Sequence, residues 1–420
     1  MLEQKSDARE SDVRGWRART LAVMPVGSST NSKAPVMLPD EPEVIVRGRG
    51  CRVWDDRGRE FIDYRNALGP VTLGYADERV DAAIRAQLDD GILFGHPHPL
   101  ETTTAELFCS VVPGAEAARF LKTGGEALAA LIRIARAHTG RDRVVQIGYN
   151  GWLNSLAPGA RVLPGATSAR IPGVPDALAE LHHAIEWNDR DALDELFAAR
   201  GSQIALILVA ADYAGLPDAA DFCRHLRALA DEHGALLGYD EMVTGFRIAL
   251  GGIAEFTGVR PDLAVFGKGV ANGMPLSVYC GRREVLSVLD RGEVVVTSTY
   301  GGETLSLAAA TATMNAMRDD GIIARLHTTG ARLQQGMNDA FAEAGIGIRL
   351  TGHPTCPQLV ADDDDEVMLQ EFLRAAFRHG VSLYRVVYVN AAHTEPDIDE
   401  TVRRVRAALA EITTPAEVAT

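Results

Sequence analysis

From about residue 101 onward, short apolar segments of strand length alternate with segments that have the period of an α-helix, such as Asp221–His233. A chain that alternates in this way forms a mainly parallel sheet with helices on both faces, because helices make the crossovers between parallel strands. We therefore predict an α/β fold. The strand candidates are Val144–Ile147, Ile204–Ala211, Ala235–Tyr239, Leu263–Phe266 and Ser277–Gly281.

The two ends of the chain have different patterns. Residues 1–40 are polar and typical of an arm, and the alternation between residues 44 and 64 predicts short antiparallel strands. The last hundred residues predict a compact α+β unit, with helices Ile322–Ala344, Glu366–Arg378 and Asp397–Ile412 and strands Ile346–Leu350, Gln358–Ala361 and Ser382–Val389. We expect an N-terminal arm and short strands that pack with the small domain (1–85), a large domain (86–320) and a small C-terminal α+β domain (321–420).

Charge, cysteine usage and hydropathy disfavour several classes of partner, a bound metal and a membrane location. The net charge of -15 disfavours nucleic acid and anionic membranes, because their phosphates would be repelled. The five cysteines are scattered, with no Cys-x-x-Cys pair and no zinc-site spacing, so we expect reduced thiols and no bound metal. Residues 1–19 lack the apolar run of a signal peptide and no window reaches membrane-spanning length, which favours a cytoplasmic protein.

Lys268 stands out because lysine is rare in this chain. Only four of the 42 basic residues are lysines, and Lys268 lies between glycines directly after the strand candidate Leu263–Phe266. A primary amine can lose its proton and form an imine with a carbonyl, whereas an arginine side chain does not deprotonate in proteins. Taken alone, Lys268 is either an imine-forming lysine or an exposed lysine in a glycine turn.

Asp240 ends another apolar strand candidate, Leu236 to Glu241. In an open parallel sheet ligands collect at the carboxyl ends of strands, so Asp240 and Lys268 should face one crevice. A lysine imine together with an aspartate on the ring nitrogen is the recurring arrangement for pyridoxal phosphate (PLP). The alternative is that Asp240 caps the next turn, a role for which Glu241 is the better candidate.

Two further segments could complete a cofactor site. Thr123-Gly124-Gly125-Glu126 has the Thr-x-x-Glu spacing of a capping box at a helix start, and its glycines let backbone amides approach a phosphate. An ordinary helix cap is the alternative. Tyr149 follows the strand Val144–Ile147 and could lie flat against a planar ring, or simply pack in the core.

The order of these motifs closely resembles the class III aminotransferases of PLP fold type I, from about Pro25 to Leu409. The motifs are Thr-Gly-Gly-Glu-Ala, Gly-Tyr-Asn-Gly, Asp-Glu-Met-Val-Thr-Gly-Phe-Arg, Gly-Lys-Gly and Thr-Tyr-Gly-Gly-Glu. The ends of the chain are particularly similar to glutamate-1-semialdehyde 2,1-aminomutases, in Pro25-Val26-Gly27-Ser28 and in the segment from Ala392 to Asp399.

The resemblance implies the PLP transferase fold type I, a PLP cofactor and roles for individual residues. Lys268 would form the internal aldimine, and Asp240 would pair with the pyridine nitrogen and would, with Lys268, be catalytic. Gly124 and Gly125 would donate backbone amides to the phosphate.

The remaining roles concern the cofactor ring and a second subunit. Tyr149 would cover one ring face and Met242 the other, although the family usually has a small β-branched residue at position 242. Thr299 would reach the phosphate of a neighbouring subunit, which implies a homodimer with shared active sites.

The function implied is transfer of an amino group from a small-molecule donor to an aldehyde or ketone acceptor. Asn150 occupies a usual histidine position, and residues 210–213 replace a usual Glu-Pro step. Together with Tyr300 and Glu303, which we expect near the pocket mouth, these departures favour a polar acceptor in secondary metabolism, such as a sugar or cyclitol. The alternatives are an intramolecular aminomutase of the glutamate-1-semialdehyde type and a PLP-fold binding protein without catalysis.

Overall fold

A computed structural model describes residues 15–152 and 173–413, apart from the side chain of Asp364. The strands are β1 (Ile45–Arg49), β2 (Arg52–Asp55), β3 (Glu60–Asp63), β4 (Ala117–Leu121), β5 (Arg143–Ile147), β6 (His182–Ile185), β7 (Ile204–Ala210), β8 (Leu236–Glu241), β9 (Leu263–Phe266), β10 (Ser277–Gly281), β11 (Ile348–Thr351), β12 (Gln358–Ala361) and β13 (Val381–Ser382). The helices are α1 (Trp16–Val23), α2 (Glu78–Asp90), α3 (Pro99–Val111), α4 (Gly124–Thr139), α5 (Asp176–Ala179), α6 (Arg190–Arg200), α7 (Ala219–His233), α8 (Gly252–Thr257), α9 (Arg283–Asp290), α10 (Thr304–Asp319), α11 (Ile322–Glu343), α12 (Glu366–Arg378) and α13 (Glu395–Thr413). Within these ranges, no helix has both the length and the apolar character needed to cross a membrane.

The centre of the molecule is a seven-stranded sheet in the order β4-β10-β9-β8-β7-β5-β6. Strand β10 runs antiparallel to both of its neighbours, and the pairs from β9 to β6 are all parallel. The predicted mainly parallel sheet is therefore confirmed. Strands β4 and β6 are absent from the sequence-based prediction because each lies at an edge of the sheet, where a strand does not need the apolar run of a central one.

Both faces of the sheet are buried, as the alternation along β7 demonstrates. Leu206 and Leu208 belong to one apolar cluster with Leu131 of α4, whereas Ile207 belongs to another with Phe222 of α7. All of these side chains are buried. Helices therefore cover both faces of the sheet. The part that remains open to a ligand is the carboxyl end of the parallel strands.

The N-terminal strands and the C-terminal residues share a second core. In the four-stranded sheet β1-β2-β3-β13, strand β13 pairs in parallel with β3. Phe61 of β3 packs in one cluster with Phe372 of α12 and Leu409 of α13. Helix α11 runs through both cores, because Leu326 belongs to the cluster of the large sheet and Leu333 to the second cluster. The boundaries at residues 85 and 320 stay a prediction.

The predicted strand Ser382–Val389 is wrong beyond Ser382. The backbone N–H of Leu359 donates to the carbonyl of Arg385 at 2.8 Å, but the N–H of Tyr388 donates to the carbonyl of Tyr64 at 2.8 Å. Because residues of this segment bond to two different parts of the chain, no continuous ladder forms, although the apolar pattern is that of a strand.

Candidate active site

Two neighbouring strands carry the central residues of the site. β8 and β9 are parallel, with Asp240 opposite Val265, and Lys268 follows the end of β9. Asp240 and Lys268 line the same cavity, which has a volume of about 480 Å³. The structure thus brings together the two residues that strand-end reasoning placed in one crevice.

Asp240 is a buried carboxylate with neutral hydrogen-bond donors. Its Oδ1 accepts from the backbone N–H of Met242 at 3.0 Å, and its Oδ2 accepts from Nδ2 of Asn150 at 3.5 Å. Burial raises the pKa of Asp240 to about 6, against the lowering effect of these donors and of Lys268. A cationic ring nitrogen would supply the compensating charge that the burial of this carboxylate requires.

Lys268 begins a 3-10 turn, Lys268–Ala271, and its backbone has a φ of 44° in the left-handed region. Burial lowers the pKa of its amine; Asp240 opposes this shift and the cation of Arg247 adds to it. A lysine whose pKa is lowered spends more time as the neutral amine, which is the form that attacks a carbonyl.

The positive end of α4 faces the same cavity. The predicted capping box is present: the backbone N–H of Glu126 donates to Oγ1 of Thr123 at 3.3 Å, and the N–H of Thr123 donates to the Glu126 carboxylate at 2.8 Å. Gly124 and Gly125 line the cavity beside this cap. Backbone N–H groups at the start of a 16-residue helix form an anion site that suits a phosphate.

Met242 is wedged between two glycines of the site. A Cβ atom on Gly124 would lie 2.7 Å from Sδ of Met242, and one on Gly267 would lie 2.6 Å from it. Tyr149 also lines the cavity, but its side chain is 65% exposed. The side chains expected on the two faces of a cofactor ring are therefore one packed thioether and one exposed phenol.

Thr299 does not join this group. It lies in an exposed turn before α10, and it is not among the residues that line the cavity. Its expected contact with the phosphate of a neighbouring subunit stays a prediction.

Glu303 lies close to the cavity, because it pairs with the lining residue Lys122, but its carboxylate is already engaged. Its Oε2 lies 2.8 Å from Nζ of Lys122, and its carboxylate also accepts from the backbone N–H groups of Leu305 and Ser306 at the start of α10. The carboxylate is thus a helix cap and an ion-pair partner. Glu241 accepts from the N–H groups that begin α8, whereas in the turn directly after β8 the N–H of Met242 donates to Asp240.

Several lining residues were missed by sequence reasoning: Thr30, Pro70, Lys122 and Met274. Thr30 and Pro70 come from the N-terminal part of the chain and lie far in sequence from the large-sheet motifs. No local signal marks them, because only the tertiary fold brings them to the cavity. Tyr213 also lines it, and could have been inferred from the altered segment at residues 210–213.

The residues present fit PLP. The buried carboxylate of Asp240 can pair with a cationic ring nitrogen, the amine of Lys268 lines the same cavity, and the start of α4 at Gly124 and Gly125 can hold a phosphate. In addition, Oδ1 of Asn150 is buried without a hydrogen-bond partner among the described residues. Within residues 15–152 and 173–413, no group of three or more His, Cys, Asp or Glu side chains is arranged so that it could hold a metal ion.

Comparison with known proteins agrees with this geometry. Residues 37–396 match the family described as aminotransferase class-III. Glutamate-1-semialdehyde 2,1-aminomutase of Aquifex aeolicus is 34% identical over an alignment of 419 residues. The match covers 93% of this chain and 98% of that protein.

Solved structures give the same result. The FumI protein of Sphingopyxis sp. MTA144 in its PLP internal aldimine form is 28% identical with a TM-score of 0.85, and the match covers 94% of this chain and 95% of that one. An omega-transaminase from Sphaerobacter thermophilus is 25% identical with a TM-score of 0.85, covering 95% and 97%. The chain therefore belongs to the class III aminotransferases and is a PLP-dependent enzyme of fold type I.

Proposed function

We propose that this enzyme moves an amino group from an amino donor to an aldehyde or ketone acceptor, with Lys268 and Asp240 as its catalytic residues. The observation that carries the proposal is their shared cavity at the ends of β8 and β9. Bound PLP supplies an aldehyde that takes up the amino group and a ring that withdraws electrons.

The two residues have separate tasks. Nζ of Lys268 removes the proton from Cα of the donor as a general base, which requires the neutral amine that burial favours. The Asp240 carboxylate holds a proton on the ring nitrogen through a charge-assisted hydrogen bond. Without that carboxylate the electrons left on Cα have no stabilised destination, so proton removal should slow strongly.

The other proposed contacts bind the cofactor. The backbone N–H groups of Gly124 and Gly125 would hold the phosphate, as their place at the start of α4 supports. Tyr149 and Met242 would cover the two ring faces, and both line the cavity.

A homodimer with shared sites is also proposed. Thr299 lies in an exposed turn. The chain that follows this turn contacts the segment around residue 92, because the backbone N–H of Thr304 donates to the carbonyl of Ile92. In that segment Ile92 and Phe94 are 46% and 47% exposed. Exposed apolar residues around a polar turn support an interface between two copies, since clustered apolar surface marks association sites.

Subunit mixing tests the shared site. Lys268→Ala and Thr299→Asp should each be inactive, and a mixture should regain activity because one of the two sites in a mixed dimer combines the parent Lys268 with the parent Thr299. No recovery in mixtures proven to exchange subunits would contradict the shared site.

For the acceptor we propose a polar carbonyl compound of secondary metabolism, of the sugar or cyclitol kind. The support is the phenol of Tyr213 and the hydroxyl of Thr30 in the cavity lining, where residues 210–213 replace a Glu-Pro step. Glu303 gives no support, because Lys122 already engages it.

An intramolecular aminomutase is the second candidate. Its support is that relatives named glutamate-1-semialdehyde 2,1-aminomutase are 32% to 35% identical over 87% to 93% of this chain. The presence of both Lys268 and Asp240 favours catalysis over binding alone.

A screen of amino donors and carbonyl acceptors separates the candidates. A transaminase releases one carbonyl co-product for each acceptor molecule aminated, a 2-oxo acid if the donor is a 2-amino acid, whereas a mutase rearranges its substrate without such a co-product. Absorbance changes on adding donors alone would establish the first half of transfer. A protein that binds PLP but responds to no donor would contradict the proposed catalysis.

A further inference from the structure

Arg247 is a fully buried cation at the meeting point of three chain segments. Its side chain is 1% exposed. Nη1 donates to the carbonyl of Val389 at 2.9 Å, and Nη2 donates to the carbonyl of Gly69 at 2.5 Å. The guanidinium also lies over the ring of Tyr388, with Cζ 5.0 Å from the ring centre. Arg247 therefore holds the N-terminal and C-terminal segments against the large sheet.

This cation has no carboxylate partner in the described part of the chain. Its hydrogen bonds go to backbone carbonyls and to the hydroxyl of Thr72. By contrast, the part-buried Arg52 forms ion pairs with three carboxylates. Burying an unpaired charge is costly, and carbonyl dipoles offset only part of that cost. The positive potential around Arg247 thus extends to neighbouring groups.

A short chain of contacts connects this cation to the turn that carries Lys268. Nη2 of Arg247 donates to Oγ1 of Thr72 at 3.3 Å. A Cβ atom on Gly269, the next residue after Lys268, would lie 2.7 Å from the same Oγ1. The turn therefore rests on the hydroxyl that Arg247 binds.

Most other titratable groups that face Arg247 are neutral at neutral pH. Burial raises the pKa values of Tyr213 and Tyr388 far above neutrality, and that of Cys356 to about 11. Burial also lowers the pKa of His353 to about 4, so its imidazole is uncharged. Lys268, by contrast, is a neighbour among the described residues whose charge Arg247 can influence.

We propose that Arg247 is a positioning residue for Lys268: its immobilised, unpaired cation holds the turn of Lys268 in place and adds to the burial that favours the neutral amine. Two neighbouring buried cations repel each other, so the group that can lose its proton does so. This inference rests on the proposed role of Lys268, and it adds a residue that does not line the cavity.

The test is a titration of Lys268 in cofactor-free protein. Reductive methylation with formaldehyde and cyanoborohydride modifies only neutral amines, and peptide mapping follows each of the four lysines separately. Lys33 is exposed and serves as the internal reference. Arg247→Gln keeps an amide donor but removes the charge, and the matched variant Arg247→Lys keeps the charge but loses the fork of donors.

We expect a pH midpoint for Lys268 below that of Lys33 in the parent and in Arg247→Lys. Arg247→Gln should raise it by about one unit, which lowers the methylation rate below the midpoint about tenfold. Equal midpoints in the Gln and Lys variants, with native thermal transitions, would overturn the proposal. If Arg247→Gln does not fold, a midpoint at or above that of Lys33 in either remaining protein overturns it. Because this titration involves no cofactor, its outcome is independent of whether Lys268 binds PLP.

Discussion

Nδ2 of Asn150 donates a 3.5 Å hydrogen bond to Oδ2 of Asp240, so the carboxylate of the site is held by a side chain that carries no charge. The family usually has a histidine at this position. A histidine could add a positive charge and titrate near neutral pH, whereas an amide does neither. Asn150 therefore adds no charge to the cavity, in contrast to Asp240, Lys268 and Lys122, which line it.

Asn150→Asp should destabilise the cofactor-free protein in a pH-dependent way. Two carboxylates at hydrogen-bond distance cannot both ionise cheaply, so one of their pKa values rises strongly. We expect a loss of about 2–3 kcal/mol near pH 8 and a much smaller loss near pH 4.5, where a shared proton joins the two groups. Urea unfolding at both pH values measures it. Asn150→Ala is the control and should show a small loss without this pH dependence; the same dependence in Asn150→Ala would contradict the explanation.

Asp240→Asn should stabilise the cofactor-free protein while abolishing activity. The folded pKa of Asp240 is about 6, above the ordinary value of 3.8 for an aspartate, so the folded state binds the proton more tightly. Its contribution to stability is complete below about pH 4 and is lost as the pH rises through 6. Asparagine does not ionise, so the variant should gain on the order of 1–3 kcal/mol over the parent near pH 8 and nothing near pH 4. Urea unfolding at the two pH values measures the gain, and a gain of equal size at both would contradict burial as the cause.

Gly124→Ala should destabilise the protein mainly through its contact with Met242. Alanine suits the first turn of a helix, so the cost comes from the new Cβ at 2.7 Å from Sδ of Met242. Overpacking of this kind costs about 1–3 kcal/mol. In a Met242→Val background the cost should fall by at least half, as measured by urea unfolding of the four proteins in a double-mutant cycle. Equal costs in the two backgrounds would exclude this contact as the cause.

Lys122→Ala should lower stability without preventing cofactor attachment. Its Nζ lies 2.8 Å from Oε2 of Glu303, and each side chain is only 14% exposed. Burial alone would raise the pKa of Glu303, but the bonds from Lys122 and Ser306 lower it, so this stabilisation is present near neutral pH and is lost on acidification. We expect thermal and urea unfolding to give a loss of about 1–3 kcal/mol at pH 7, with a smaller loss in a Glu303→Gln background. Purely additive losses would contradict a coupled pair.

The central residues of the site could be predicted from the sequence, because residues at the ends of strands are marked by local patterns. Lys268 and Asp240 each follow an apolar run, and parallel strands bring such positions to one edge. The capping box at Thr123 was found for the same reason, since its spacing is a property of one helix turn.

Residues that reach the site from distant parts of the sequence are not marked by any local pattern. Thr30 joins the cavity from the N-terminal arm, and Arg247 meets Gly69 and Val389 across 178 and 142 positions of sequence. The ion pair of Glu303 was not predicted, because its position in the sequence does not reveal that Lys122 would reach it. The short edge strands β4 and β6 were not predicted, because their sequences lack a buried apolar run.

The most direct test of the proposed chemistry is where the cofactor is attached. The purified enzyme, loaded with PLP, is reduced with borohydride, digested and mapped by mass spectrometry. We predict one pyridoxyl group per chain on Nζ of Lys268 and none on Lys122, which lines the same cavity. An adduct on any other residue, or no adduct in a protein that remains yellow before reduction, would contradict the assignment of Lys268.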